Sequence, residues 1–223
     1  MPLEPATDAA RQGTPPAFRT PPAEGWRSGE DDLLRTLAPF RRRIAARERV
    51  LEIGCGAGRI TRALATRAGE VVGLDADPGT VDVARIQLAD LPNVHVVLGN
   101  GRNLCDLADA SFDVCYSCNV FDELLPDLTC GYIEEMGRVL RPGGWAVFQI
   151  SDHADVEQPA PGGRLSRRLR RDRSQTPQAQ WIGPAVPRLR LLAALGKGGL
   201  ILEGAVGEGT PFCLLSVRRD PQR

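Results

Sequence analysis

Residues 50–61 read VLEIGCGAGRIT, and this stretch decides the fold. The run 50–53 predicts a short strand, the alternating glycines predict a turn, and the apolar side chains after Gly58 recur at helical spacing. Glycine adopts positive φ readily and leaves no Cβ between the turn and a ligand. The following helix begins with free N–H groups and a positive dipole end. The stretch therefore predicts a site for a nucleotide-like ligand with an anionic or hydrogen-bond-accepting end.

The spacing of the glycines separates one class of nucleotide site from another. A dinucleotide fingerprint has the pattern G-x-G-x-x-G, and Arg59 stands where its third glycine would be. A second apolar run, residues 71–75, ends in Asp75, whose carboxylate is suited to accept from both hydroxyls of a ribose. Because NAD enzymes place an acid similarly, Asp75 by itself does not choose between cofactors.

Later motifs follow in a consistent order and carry a family resemblance. Gly99–Gly101 resembles a loop that meets adenine, Ser111–Val114 a fourth strand, and Arg138–Gly144 the turn before a fifth strand. Together with the glycine turn and Asp75, they resemble the class I S-adenosylmethionine-dependent methyltransferases, over roughly residues 29–150 and more loosely over 189–219. The resemblance implies S-adenosylmethionine as cofactor and S-adenosylhomocysteine as product.

The resemblance also implies which residues hold the cofactor. The glycine turn would cradle the methionine portion, Asp75 would accept from the ribose, and Ala76 would lie against the adenine. The residues assigned in this way are Glu52, Gly54, Cys55, Gly56, Gly58, Asp75, Ala76, Asn100, Gly101 and Asn119. Asn100 replaces the Asp that is usual in the family. Its amide oxygen can still accept from the adenine amine, or the side chain only forms a turn between two glycines.

Candidate catalytic residues follow the fourth and fifth strands. Where many relatives carry two histidines, this chain has Asp122 and Glu123, which would act as a base or contact a cationic acceptor. Alternatively, Asp122 only begins the next helix. His153 lies just beyond the carboxyl end of the fifth strand, and an imidazole suits proton transfer near neutral pH. A base is needed only if the acceptor is a hydroxyl or a protonated amine.

The order of the apolar runs predicts the architecture. Strands alternate with helices between residues 50 and 150, which is typical of a doubly wound, mainly parallel sheet. The runs 200–206 and 212–217 are close in sequence and must pair antiparallel if they pair directly. We predict an α/β fold with a seven-stranded Rossmann-like sheet, an antiparallel last strand and helices on both faces. A helix over about residues 31–47 would precede the first strand.

Composition divides the chain into regions. The prolines near the N-terminus predict a flexible arm over residues 1–28. Residues 29–223 would form a single methyltransferase domain, in which residues 151–188 interrupt the alternation and are predicted to be a substrate-side insertion or cap. The arginines between Arg164 and Arg173 would bind an anionic substrate, a carrier protein or an RNA backbone, or would only form a solvated helix face.

Bulk composition excludes several classes of protein. Lys+Arg and Asp+Glu are equal at 28 each, which argues against a global field that recruits nucleic acid or an anionic membrane. The chain has no apolar run of membrane-spanning length and no apolar signal core at its start, which predicts a cytoplasmic protein. The six cysteines are expected to be reduced. Cys115-x-x-Cys118 lacks a second pair of ligands, so we expect no metal site.

We therefore predict methyl transfer from S-adenosylmethionine, by in-line displacement, to an oxygen or nitrogen of a small-molecule acceptor. One alternative is an RNA methyltransferase that uses the run Arg164–Arg173. Another is a protein of this fold that binds the cofactor without transferring methyl, because every strong motif concerns cofactor binding. The sequence specifies neither the acceptor nor the oligomeric state.

Overall fold

The sheet contains five adjacent parallel strands, and ligands of such sheets bind at the carboxyl ends of the strands. The computed structural model describes residues 23–152 and 184–222, with side chains from residue 29 onward. The strands are β1 Arg49–Ile53, β2 Glu70–Asp75, β3 Val94–Leu98, β4 Phe112–Ser117, β5 Leu140–Ile150, β6 Leu200–Val206 and β7 Cys213–Arg219. Their order in the sheet is β3-β2-β1-β4-β5-β7-β6.

Strand direction confirms the predicted topology. Strands β1 to β5 pair parallel with one another, and β7 pairs antiparallel with both β5 and β6. The short link between β6 and β7 forces this reversal, because a parallel pair needs a long crossover. Strand order reverses direction between β1 and β4, and such a switch point opens a crevice above the carboxyl ends of the strands.

The helices begin and end at residues that suit those positions. They are α1 Ala23–Leu37, α2 Arg59–Ala65, α3 Pro78–Gln87, α4 Pro126–Val139 and α5 Arg188–Lys197. Proline stands at the first position of α3 and α4, where its missing N–H costs nothing. Asp77 caps α3 by accepting from the backbone N–H of Thr80 at 2.7 Å.

The first helix and the fifth strand differ from the sequence prediction. Helix α1 begins at Ala23, inside the segment predicted as an arm, and ends at Leu37 rather than near residue 47. Pro39 explains the early end, because the helix gives way there to a 3₁₀ turn, Ala38–Phe40. Strand β5 begins at Leu140 rather than Trp145, and its pairing with β4 shifts register over the predicted turn.

Helices cover both faces of the sheet, as predicted. On one face, which we call the α1/α2 face, Leu33 of α1 and Leu64 of α2 pack with Val114 and Val147 of the strands. On the opposite face, which we call the α4/α5 face, Ile133 of α4 and Leu195 of α5 pack against strand residues such as Cys115 and Phe148, which alternate along their strands with those of the first face. Among the helices that the structure describes, none combines the length and apolar character that a bilayer crossing requires.

Candidate functional site

The glycine turn after β1 is shaped by two close approaches. The backbone N–H groups of Gly54 and Cys55 both donate to Leu74 O of β2, at 2.7 and 3.1 Å. A Cβ on Gly54, at φ 77°, would lie 2.1 Å from Val120 Cγ2. A Cβ on Gly58, at φ 91°, would lie 2.5 Å from a methyl carbon of Leu88. These two glycines are therefore required by packing as well as by backbone conformation.

Gly56 has a different role, because it faces open space. Its φ is 53°, and a Cβ placed there would meet nothing within 4 Å. Its backbone N–H donates to Asp75 Oδ2 at 2.8 Å, and the N–H of Asp77 donates to Asp75 Oδ1 at 3.0 Å. Each carboxylate oxygen has more than one lone pair, so Asp75 is held in place and can still accept from a ligand hydroxyl.

A pocket of about 540 Å³ opens beside this turn, within the size range of cofactor sites. Six elements or connecting loops contribute to its wall, namely β1, β2, α3, the loop after β3, the loop after β4, and α4. The lining residues are Ile53, Gly54, Gly56, Ala57, Leu74, Asp75, Ala76, Asp77, Gly79, Thr80, Val83, Gly101, Asn119, Val120, Glu123, Leu124 and Tyr132. The wall is largely apolar, with a carboxylate at the end of β2.

The structure brings most of the predicted cofactor residues to this pocket. Those that line it are Gly54, Gly56, Asp75, Ala76, Gly101 and Asn119. Those that lie outside its wall are Glu52, Cys55, Gly58 and Asn100. Glu52, Cys55 and Gly58 form or support the glycine turn, whereas Asn100 lies in the loop after β3.

Glu52 lies beneath the glycine turn rather than in the pocket. Its side chain is buried, and its Oε2 accepts from Thr61 Oγ1 at 2.6 Å. Burial raises the pKa of Glu52 to about 8, although the hydrogen bond from Thr61 opposes this increase. Glu52 therefore ties β1 to α2 below the turn.

Asn100 forms a turn, which is the second of the two roles that its sequence context predicted. Its Oδ1 accepts from the backbone N–H groups of Arg102 and Asn103, at 2.8 and 3.0 Å. Its Nδ2 donates to Asn103 Oδ1 at 2.7 Å. Both ends of the amide are thus engaged in the loop after β3, and Gly101 rather than Asn100 reaches the pocket.

The two carboxylates after β4 have different environments. Glu123 lines the pocket, whereas Asp122 is completely buried. Helix α4 begins at Pro126 with Leu125 as its N-cap, so the alternative that Asp122 begins this helix is wrong. Asn119, just after β4, has a φ of 57°, a conformation that Asn tolerates better than most residues.

Two sequence predictions lie outside the described residues. His153, the candidate base after β5, falls in the segment 153–183, and so do the arginines from Arg164 to Arg173. Their roles stay predictions. Among the described residues, no group of three or more His, Cys, Asp or Glu side chains is placed to hold a metal ion. Cys115 packs on the α4/α5 face and Cys118 on the α1/α2 face, so the two thiols point apart.

Several pocket residues were missed by the sequence analysis. Tyr132 reaches the pocket from α4 and stacks on Phe121, with 5.7 Å between ring centroids. Thr80 and Val83 reach it from the start of α3. The position of α3 directly after Asp75 could have indicated Thr80 and Val83, because residues three positions apart lie on the same face of a helix. No local signal distinguishes Tyr132 from an ordinary core aromatic.

Comparison with known proteins also indicates a methyltransferase. Residues 51–148 match the sequence profile of the family described as a methyltransferase domain. A malonyl-[acyl-carrier protein] O-methyltransferase from Serratia marcescens is 38% identical over 123 residues, which are 52% of this chain and 46% of that protein. A ubiquinone biosynthesis O-methyltransferase from Paracidovorax citrulli is 30% identical over 126 residues, or 56% of this chain and 47% of that protein. The chain thus spans less than half the length of these two relatives.

A solved structure has a similar fold over most of the chain. The geranyl diphosphate C-methyltransferase of Streptomyces coelicolor A3(2), solved with S-adenosylhomocysteine, has a TM-score of 0.62. The match covers 86% of this chain and 78% of that one at 13% identity, which establishes the shared fold.

The strand order and the structural match define a Rossmann-like α/β fold. Over residues 51–148 the chain is similar to the class I S-adenosylmethionine-dependent methyltransferases, whose cofactor is S-adenosylmethionine. The open space at Gly56 and the carboxylate of Asp75 fit that cofactor, because one accommodates a close backbone approach and the other suits a ribose diol.

Proposed function

We propose that this protein transfers the methyl group of S-adenosylmethionine to an oxygen or nitrogen of a small-molecule acceptor. The observation that carries the proposal is the placement of Asp75. Its carboxylate lies at the end of β2, is fixed by the N–H groups of Gly56 and Asp77, and faces a pocket of cofactor size. The family match and the O-methyltransferase names of two relatives support the reaction type.

The residues of the pocket would divide the work of binding. Asp75 would accept from the ribose hydroxyls, and Ala76, Gly101 and the apolar side chains around them would contact the adenine. The turn at Gly54 and Gly56 would pass close to the methionine portion. When bound, S-adenosylmethionine supplies a methyl group on a positively charged sulfonium, which is already a reactive electrophile.

Positioning would be the main contribution of the protein to the rate. An in-line displacement requires the acceptor atom to approach the methyl on the side opposite the sulfur, and a bound geometry near this arrangement removes much of the barrier. Asn119 and Glu123 line the pocket after β4, at the edge where an acceptor would meet the methyl. Glu123 would contact a cationic acceptor or take a proton from a hydroxyl.

Calorimetric titration with S-adenosylmethionine and S-adenosylhomocysteine tests the proposal at its first step. Asp75→Asn should weaken binding of both by about tenfold or more, because a charge-assisted hydrogen bond to the ribose is lost. Asp82→Asn is the matched control, because Asp82 does not line the pocket and its side chain is 72% exposed. Failure of the wild-type protein to bind either ligand would overturn the proposal.

Transfer is tested separately from binding. The protein is incubated with S-adenosylmethionine carrying a labelled methyl group and with small-molecule extracts, and the labelled products are identified by mass spectrometry. Label in a small molecule supports the proposal. Binding of the cofactor without any labelled product would favour a cofactor-binding protein that does not transfer methyl, and label in RNA would favour the RNA alternative.

A further inference from the structure

The side chain of Tyr132 is buried, yet its hydroxyl group has no hydrogen-bond partner. Tyr132 is 4% exposed and contributes to the wall of the cofactor pocket. Within the part of the chain that the structure describes, the hydroxyl makes no hydrogen bond, and its oxygen is not enclosed by protein atoms. Buried polar groups ordinarily have partners, so this hydroxyl is an exception. The ring therefore lies in the core while the hydroxyl faces the pocket.

Aromatic packing holds the ring of Tyr132 in place. The ring stacks on Phe121, with 5.7 Å between centroids, and Phe121 packs edge-on against Phe148 at 5.8 Å. All three side chains belong to the core of the α4/α5 face. A hydroxyl on a ring that is already ordered costs little further conformational entropy when it binds a ligand.

The position of Tyr132 on α4 directs it toward the loop after β3. Tyr132, Glu135 and Arg138 recur at a spacing of three and lie along one side of the helix. Arg138 donates to the carbonyl oxygens of Leu104 and Leu107 in that loop, at 2.7 and 2.8 Å. Helix α4 runs from the carboxyl end of β4 toward the start of β5, so Tyr132 lies nearer to the pocket than Arg138 does. It therefore lies at the end where the loop reaches the pocket.

The same loop borders the place where the adenine of the cofactor would lie. A Cβ on Gly101 would be 3.2 Å from Ala76 Cβ, so the two residues expected to contact adenine are adjacent. Asn100 was the predicted acceptor for the adenine amine, but its Oδ1 accepts from the N–H groups of Arg102 and Asn103. Both lone pairs of that oxygen are thereby used. The amide of Asn100 is thus not available to adenine.

Other polar side chains of the pocket wall have different positions or partners. Asp75, at the end of β2, is placed for the ribose, and Asp77 Oδ1 accepts from Thr80 N as the cap of α3. Asn119 and Glu123 lie in the loop after β4, where an acceptor would meet the methyl. Tyr132 reaches the pocket from another side, beside the loop after β3.

We propose that the hydroxyl of Tyr132 binds the exocyclic amine of the cofactor's adenine and takes the role that the sequence assigned to Asn100. The hydroxyl oxygen accepts from the amine, and its hydrogen is free to donate to the neighbouring ring nitrogen, since a hydroxyl is both donor and acceptor. Tyr132 thereby favours adenine over a base that lacks the amine. The inference rests on the proposed function and adds a residue that recognises its cofactor.

The protonation state of Tyr132 suits this role. Burial raises the pKa of the hydroxyl, and the negative charge of Asp75 raises it further. The hydroxyl therefore stays neutral at physiological pH and keeps its hydrogen. The preference for adenine should accordingly be the same at about pH 6 and about pH 9.

Two ligands and two tyrosine variants test the contact. S-adenosylhomocysteine and an analogue in which hydrogen replaces the exocyclic amine are titrated calorimetrically into each protein. The wild-type protein should bind S-adenosylhomocysteine about fivefold more tightly than the analogue, and Tyr132→Phe should bind the two equally. Tyr116→Phe is the matched control and should keep the preference, because Tyr116 is the other tyrosine of the chain and does not line the pocket. Equal binding by the wild-type protein, or an unchanged preference in Tyr132→Phe, would overturn the proposal.

A third variant separates Tyr132 from Asn100. Asn100→Ser keeps an oxygen that can form the turn but removes the amide, and it should retain the preference for S-adenosylhomocysteine. Loss of the preference in Asn100→Ser but not in Tyr132→Phe would overturn the proposal in favour of Asn100. An equal loss of affinity for both ligands in Tyr132→Phe would overturn it in favour of a structural role. Failure of the wild-type protein to bind S-adenosylhomocysteine would instead defeat the proposed function.

Discussion

The backbone N–H of Gly56 donates to Asp75 Oδ2 at 2.8 Å, and this bond connects the turn after β1 to the end of β2. Residues 19 positions apart in sequence thereby form one binding element. The bond fixes the carboxylate that would hold a ribose, and it also orients the turn that would pass beside the methionine portion. The cofactor pocket is organised around it.

Gly56→Ala should impair binding more than folding. The added methyl group would occupy the open space beside Gly56, on the side of the pocket. A φ of 53° is also strained for Ala. We expect the affinity for S-adenosylmethionine to fall about tenfold, with only a modest loss of thermal stability. Gly143→Ala is the control for backbone strain alone, because Gly143 has a φ of 79° and open space but lies outside the pocket. Equal affinities in the two variants would contradict the prediction.

Gly54→Ala should instead destabilise the fold. A Cβ at this position would lie 2.1 Å from Val120 Cγ2, so the clash adds to strain of about 1–3 kcal/mol from the positive φ. Urea denaturation should show a larger loss of stability than Gly56→Ala shows. Adding Val120→Ala to the variant should restore part of the loss, because the clash is removed. A double variant no more stable than the single one would show that the clash is not the cause.

Glu52 should make stability fall with increasing pH. Its pKa is about 8 in the folded protein and near 4.5 in an ordinary environment, so the folded state holds this proton more tightly than the unfolded state. Its contribution is therefore most favourable below pH 4.5 and is lost as pH rises through about 8, by an amount on the order of 5 kcal/mol. Glu52→Gln should flatten the profile of unfolding free energy against pH. Glu208→Gln, at an exposed site, should not.

Asp122→Asn should stabilise the protein. Burial raises the pKa of Asp122. The carboxyl group therefore destabilises the fold little at low pH, where it is protonated, and destabilises it more as pH rises through the raised pKa and the group ionises. The gain in unfolding free energy should therefore be larger near pH 8 than near pH 4, and the variant should melt at a higher temperature. A lower melting temperature at both values would indicate that the carboxyl group stabilises the fold.

The hydrogen bond between Thr36 and Tyr116 should contribute to the docking of α1. Both side chains are buried, and their oxygen atoms are 2.9 Å apart. Thr36→Val and Tyr116→Phe should each destabilise the protein by about 1 kcal/mol or more, since each leaves the other hydroxyl without this partner. A double-mutant cycle should give a coupling of about 1 kcal/mol. Additive effects of the two substitutions would mean that the bond contributes nothing.

Much of the fold could be read from local patterns. The glycine turn, the carboxylate of Asp75 and the short link between β6 and β7 are each encoded within a few residues, so they predicted the strand–turn–helix unit and the reversed last strand correctly. The end of α1 was predicted wrongly because apolar spacing continues past Pro39, although the proline ends the helix.

The sequence by itself determined that Gly56 and Asp75 have the conformational freedom and the charge that a nucleotide site needs. Only the tertiary structure decided that Glu52 supports the turn from below, that Tyr132 enters the pocket, and that Asp122 is completely buried. The reason is physical. Glycine torsions and strand reversal depend on neighbouring residues, whereas burial, raised pKa values and unpaired donors depend on segments that meet only after the sheet and its helices have assembled.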